Sequence, residues 1–308
     1  MDRRALLQGF ALAAALAASR ARAQPRKQDE SAPAATMRAI PSTGERIPVV
    51  GLGTWITFDV GADAAARSAR AAILRAFFER GGRLVDSSPM YGASEEVVGA
   101  GLARIGIPAT LFAATKVWTV GASSGRRQME KSRAYWKIPR FDLIQVHNFL
   151  DWQTHLATLK AWKSEGRVRY IGVTTSHGRR HDLGEDILRS ERLDFFQVTY
   201  SLADRQADER LLPLAAERGA AVIVNRPFDG GDLFGRVRGK ALPGWAAEIG
   251  ARSWAAVFLK WIVSHPAVTC AIPATSQAAH LEENMGAFGA PLPDAGLRQR
   301  IAADFDRL

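Results

Sequence analysis

The sequence predicts a (β/α)8 barrel, the TIM-barrel class, and three observations predict it. Short apolar runs rich in Val, Ile and Phe recur eight times, at residues 48–51, 83–86, 110–115, 142–147, 168–174, 194–199, 220–224 and 268–272, each of strand length. Segments with helical spacing lie between them, as over 64–80, where Ile73, Leu74, Phe77 and Phe78 fall on one face, and over 153–164. Helix stops follow at Gly81-Gly82, Gly166 and Gly219. Eight strands alternating with helices in one domain of this length point to a closed barrel, with an open doubly wound sheet as the alternative. The phosphate fingerprint of that alternative is missing. Gly51-Leu52-Gly53 lacks a third glycine at the right spacing and leads into Thr54-Trp55 instead of a helix.

Taken in order, the chain begins with a stretch of a different kind. Arg3-Arg4 precede an apolar segment over residues 9–18, and Ala21-Arg22-Ala23 supplies the small residues a signal peptidase accepts. The pattern resembles a twin-arginine export signal, which implies cleavage after residue 23, passage through the twin-arginine machinery and a periplasmic location. The apolar segment is too short to anchor the chain in a bilayer, so no membrane association is expected after cleavage. Residues 24–37 read as a polar, flexible linker, and residues 38–308 as the barrel. Residues 37–40 and 46–48 flank the turn Pro41-Ser42-Thr43-Gly44 and predict an N-terminal β-hairpin closing the bottom of the barrel.

Composition narrows the function. The 308 residues are 47% hydrophobic, enough for a sizeable core. The net charge of +10 is scattered, with no basic block interleaved with aromatics, which argues against nucleic acid as a partner. A single cysteine, Cys270, excludes an intrachain disulfide and a multi-cysteine metal site. His177 and His181 stand four apart, but the intervening Gly178-Arg179-Arg180 reads as a solvated turn, and no metal is expected.

In a barrel, polar residues at the carboxyl ends of the strands converge on one site. The second strand delivers Asp86 and, beyond Pro89, Tyr91; the third ends at Lys116; the fourth ends at His147 and Asn148; later strands add Thr174, Thr175 and Gln197. Taken alone, Asp86 reads as a cap or turn former. A lysine at the end of a buried strand, however, is costly without a facing carboxylate, and Asp86 on the neighbouring strand is its natural partner.

Five stretches carry a family resemblance: Gly51-Leu52-Gly53-Thr54-Trp55; Val85-Asp86-Ser87-Ser88-Pro89-Met90-Tyr91-Gly92; Asp142-Leu143-Ile144-Gln145-Val146-His147; Gly166-Arg167-Val168-Arg169-Tyr170-Ile171-Gly172-Val173; and Ile272-Pro273 with Leu281-Glu282-Glu283-Asn284. The chain resembles the aldo-keto reductases. The resemblance implies hydride transfer from a nicotinamide cofactor, NADP by family default with NAD possible, to a small aldehyde or ketone. Asp86, Tyr91, Lys116 and His147 would form the catalytic group, with Tyr91 as general acid. A carbonyl receiving hydride needs a proton at its oxygen, and a lysine ammonium beside the phenol is expected to lower its pKa towards neutrality. A module of the same fold that retains cofactor without turnover is the alternative.

On the cofactor side the resemblance is less complete. It implies contacts from Gly53, Thr54 and Gln197, from Thr174-Thr175 where the family has Ser-Asn, and from Asn225, Arg226 and Pro227 where it commonly has a stacking tyrosine. Arg226 is expected to compensate for the missing ring. Around the 2′-phosphate the family's basic residues correspond to Ala274 and His280, leaving Thr275, Ser276, His280 and Asn284 as donors. Trp55, Trp118 and Asn148 are expected to wall the substrate pocket.

Overall fold

The computed structural model describes residues 35–289 and 291–308. The expected export signal over residues 1–23 and most of the linker lie outside the described residues. The hairpin forms as expected from β1 (Met37–Ala39) and β2 (Arg46–Pro48), paired antiparallel, with Gly44 at φ 76° in the turn, a backbone setting that glycine adopts without strain.

Eight parallel strands follow: β3 (Leu52–Gly53), β4 (Leu84–Asp86), β5 (Phe112–Val117), β6 (Phe141–His147), β7 (Val168–Thr174), β8 (Phe195–Thr199), β9 (Ala221–Asn225) and β10 (Val268–Ala271). They pair in chain order. Hydrogen bonds from Ala271 N–H to Val49 O (2.9 Å), Gly51 N–H to Ala271 O (2.8 Å) and Gly53 N–H to Pro273 O (3.0 Å) join the first strand to the last and close the barrel. The closed barrel is confirmed and the open sheet is excluded. The first strand lies further along than the expected 48–51, because Pro48 belongs to the hairpin. Gly51 and Gly53 serve this seam: a Cβ at Gly51 would lie 2.9 Å from Leu84 O, and one at Gly53 2.7 Å from Ile272 O. The glycine pair permits close backbone approach, a role with no phosphate in it.

Helices alternate with the strands: α1 (Ala64–Glu79), α2 (Ser94–Ile105), α3 (Ala122–Trp136), α4 (Trp152–Ser164), α5 (His181–Ser190), the short α6 (Gln206–Glu209) and α7 (Leu211–Glu217), α8 (Asp232–Arg236), α9 (Trp254–Val263), α10 (Ala278–Met285) and α11 (Ala295–Asp306). Asp63 caps α1 by accepting from Ala66 N–H at 2.9 Å. Ile73, Leu74 and Phe77 are buried as expected, while Phe78 is half-buried. The last helix packs on the outside of the barrel. Arg298 donates from Nη2 to Tyr200 Oη at 2.9 Å, and Phe305 meets Phe258 edge to face.

Period-two alternation decides which side chains face the barrel axis. Ile40 and Ile47 of the hairpin region share an interior cluster with Leu84, Phe112, Leu143, Tyr170, Phe195, Ala221 and Cys270. The hairpin thus plugs the amino-terminal end, and Cys270 is an inert core thiol whose pKa burial pushes up. Moving up each strand in steps of two from that layer reaches Asp86, Lys116, Gln145, His147, Thr174, Gln197 and Asn225.

Candidate active site

Of these, Asp86, His147, Gln197 and Asn225 line a cleft of about 310 Å³ at the carboxyl ends of the strands, and Lys116, Gln145 and Thr174 lie outside that lining. Lys116 was expected at the end of its strand; β5 runs one residue further, to Val117, and Lys116 pairs with Gln145 of β6 in the ladder. Its Nζ donates to Asp86 Oδ2 at 2.5 Å and to Ser87 O at 2.9 Å. Asp86 and Lys116 are both buried, 1% and 0% exposed. The second carboxylate oxygen of Asp86 accepts from Gln197 Nε2 at 3.1 Å and Gln145 Nε2 at 3.5 Å. The buried charge is therefore paired and hydrogen-bonded on both oxygens, as its desolvation demands.

Tyr91 reaches this pair from the turn that follows β4. Its N–H bonds Ser88 O at 3.0 Å, with Pro89 at the second turn position where its fixed φ suits the bend. Lys116 Nζ lies 4.9 Å from the centre of the Tyr91 ring, and the His147 ring meets Tyr91 edge to face at 5.6 Å. His147 is 5% exposed, and its Nδ1 lies 2.9 Å from Ser88 Oγ.

Burial dominates the proton affinities here. It pushes the Asp86 carboxyl up, with Lys116 opposing. It works downward on Lys116, but the charge of Asp86 and the neighbouring Tyr91 outweigh it, and the lysine is held as an ammonium. His147 falls well below the ordinary imidazole value through burial and then Lys116, so it is neutral at pH 7. Tyr91 departs from expectation. Burial raises its phenol above the ordinary value and Lys116 offsets this only in part. The hydroxyl is packed among charged and aromatic neighbours even though part of the residue stays open to the cleft, and the cost of desolvating a phenolate exceeds the attraction of the ammonium.

Of the residues expected to hold cofactor or substrate, Gly53, Thr54, Trp55, Asn148, Gln197, Asn225, Arg226 and Pro227 line the same cleft. Other expected site residues lie outside that lining. Trp118 is 41% exposed and outside the cleft, its N–H held by Gln128 Oε1 at 2.6 Å. Thr174 and Thr175 lie behind the lining: Thr174 Oγ1 donates to Gln197 Oε1 at 3.1 Å and Thr175 Oγ1 to Arg179 O at 2.7 Å. Thr275, Ser276, His280 and Asn284 do not line it either. Thr275 Oγ1 is engaged with Gln277, and Asn284 is buried on α10. Asn225 is also committed within the protein, accepting from Thr199 Oγ1 at 2.7 Å and donating to Thr175 O at 2.9 Å and Gln197 Oε1 at 3.4 Å.

Ile56, Met90, Ser176, His177, Phe228 and Phe234 line the cleft without having been expected there. His177 follows a strand end by three residues, so the strand-end rule was enough to find it; Phe228 comes from the loop after β9 and Phe234 from the short α8, whose placement the sequence does not signal. Ile56 sits at φ 62° with Thr57 N–H bonded to Trp55 O at 2.6 Å, a tight turn strained for a β-branched residue and placed at the cleft mouth. Among the described residues no cluster of three or more metal-ligating side chains occurs.

The profile of the aldo/keto reductase family matches residues 49–300. The chain belongs to that family. Among relatives, methylglyoxal reductase YeaE of Escherichia coli is 29% identical over 259 residues, 82% of this chain and 89% of that protein. The NADH-specific methylglyoxal reductase of the same organism is 36% identical over 94 residues, 30% of this chain and 27% of its own. Among solved structures, an aldo-keto reductase from Klebsiella pneumoniae in complex with NADPH superposes with a TM-score of 0.71 at 26% identity, over 90% of this chain and 95% of that one. Family membership makes the protein an oxidoreductase of NAD(P)-dependent type acting on carbonyl groups in general.

Proposed function

We propose that the protein reduces a small aldehyde or ketone to the alcohol, with Tyr91 giving the proton. One observation carries this reading: Tyr91, His147 and the Lys116–Asp86 pair meet at one end of one cleft, with Lys116 Nζ 4.9 Å from the Tyr91 ring and 2.5 Å from Asp86. A reduced nicotinamide supplies the hydride when bound. The protein's own groups do the rest. His147, neutral, orients the carbonyl oxygen by hydrogen bonding. Tyr91, kept protonated by its raised pKa, gives up its proton only as negative charge develops on that oxygen, and the ammonium of Lys116 then stabilises the phenolate left behind. Asp86 holds Lys116 charged and aimed.

The cleft suits such a cofactor in its position and in Arg226, whose Nε is a buried donor with no partner among the described residues. Arg226 otherwise pairs with Asp229 at 3.1 Å and lies 5.7 Å from the Trp55 ring centre. NADP is the cofactor we assign, with NAD possible, supported by the NADPH-bound and NADH-specific relatives. We further propose that residues 1–23 are a twin-arginine signal removed after Ala23, that residues 24–37 are a linker, and that the mature protein works in the periplasm. Amino-terminal sequencing of the periplasmic fraction checks this part.

Single-turnover hydride transfer from pre-bound NADPH to a panel of short aldehydes and ketones, methylglyoxal among them, tests the reaction. Transfer to at least one is expected; transfer to none replaces the reading with a module that retains cofactor without turnover.

A further inference from the structure

Ser88 is fully buried beneath the cleft and belongs to none of the roles assigned above. Its hydroxyl has two neighbours. Met90 N–H donates to Oγ at 3.2 Å, and His147 Nδ1 lies 2.9 Å away. A serine hydroxyl has one proton to give. If Nδ1 carried the imidazole proton, it would donate to Ser88 Oγ, and the serine proton would be left buried with no acceptor among the described residues. If Ser88 donates to Nδ1, all three groups are satisfied at once: Met90 N–H to Oγ, the Oγ proton to Nδ1, and the imidazole proton on Nε2. Buried donors are rarely left unpaired, so the second arrangement holds.

We infer that Ser88 is a positioning residue that fixes His147 as the Nε2–H tautomer, so that His147 offers the cleft a hydrogen-bond donor and not a base. The ring lines the cleft, and Nε2 has no protein partner among the described residues. The Ser88–Tyr91 turn therefore sets two groups at once, Tyr91 through its backbone and His147 through the Ser88 side chain. Its kinetic consequence rests on the carbonyl-reduction reading; the tautomer itself does not.

Long-range proton–nitrogen NMR of the full-length protein and of Ser88→Ala assigns the ring proton of His147 without needing turnover. The wild type is expected to carry it on Nε2, and Ser88→Ala to show a mixture of tautomers. With that mixture kcat should fall about tenfold while KM changes little, since the orientation of the reacting carbonyl is lost and uniform binding is not. Ser88→Cys, a weaker donor at the same position, should lie between the two and serves if the alanine variant does not fold. A wild-type proton on Nδ1, or a variant with unchanged tautomer, overturns the assignment whatever its kcat. Mixed tautomers with unchanged kcat overturn the positioning role. If the wild type reduces no carbonyl, the reaction reading fails while the spectra still decide the role of Ser88.

Discussion

The two sides of the cleft are built differently. On the side of β4, β5 and β6, Asp86, Lys116, Tyr91 and His147 bond or pack against one another, and each is placed by a strand or by the single turn after it. On the side of β9 and β10, Asn225 is spent on Thr199, Thr175 and Gln197, Thr275, Ser276, His280 and Asn284 lie outside the cleft lining, and Arg226 Nε is buried without a partner among the described residues. The first side is specified by strand register. The second is specified by loops. The difference teaches that the group proposed for proton transfer is ordered by strand register, whereas the side proposed for the cofactor offers few side chains not already bonded within the protein.

Breaking the first side should have the larger effect. Lys116→Met leaves Asp86 buried without its cation and should lower stability by about 3–5 kcal/mol, read from urea denaturation. A loss under 1 kcal/mol would mean that Asp86 is already neutral in the folded protein. On the second side, Arg226→Ala should weaken cofactor binding about tenfold, about 1.4 kcal/mol, by fluorescence titration, with stability little changed. Unchanged affinity would remove Arg226 from the cofactor site.

A third, smaller effect separates the sides by pH. The folded His147 has a pKa well below the ordinary imidazole value, so as pH falls below about 6.5 the unfolded chain takes up a proton that the folded one refuses. Stability should therefore decline with falling pH, by at most about 1.4 kcal/mol per pH unit from this group. The contribution is zero above the unfolded value. Denaturation midpoints of the wild type and His147→Gln between pH 7 and pH 5 check it, the variant lacking that part of the slope.

The same contrast explains what was legible in the sequence. The alternation of apolar runs and helical segments gave the barrel and hairpin because each burial face is written with its own period. Asp86, Lys116, His147 and Gln197 followed, since a strand end plus period-two alternation fixes where a side chain points. Trp118 lies outside the cleft lining because it stands one residue past the end of β5, where the alternation no longer rules. Thr275 and Asn284 lie outside it because a loop and a short helix set their direction. The pKa of Tyr91 failed for another reason: the sequence shows that a lysine is near but not how much water is lost around the phenol, and that loss decides the sign.

The central claim is that Tyr91 gives the proton. Single-turnover hydride transfer from bound NADPH in Tyr91→Phe, compared with the wild type on the same aldehyde, tests it most directly. The predicted result is a fall of about a thousandfold with cofactor affinity preserved; transfer at the wild-type rate would contradict it.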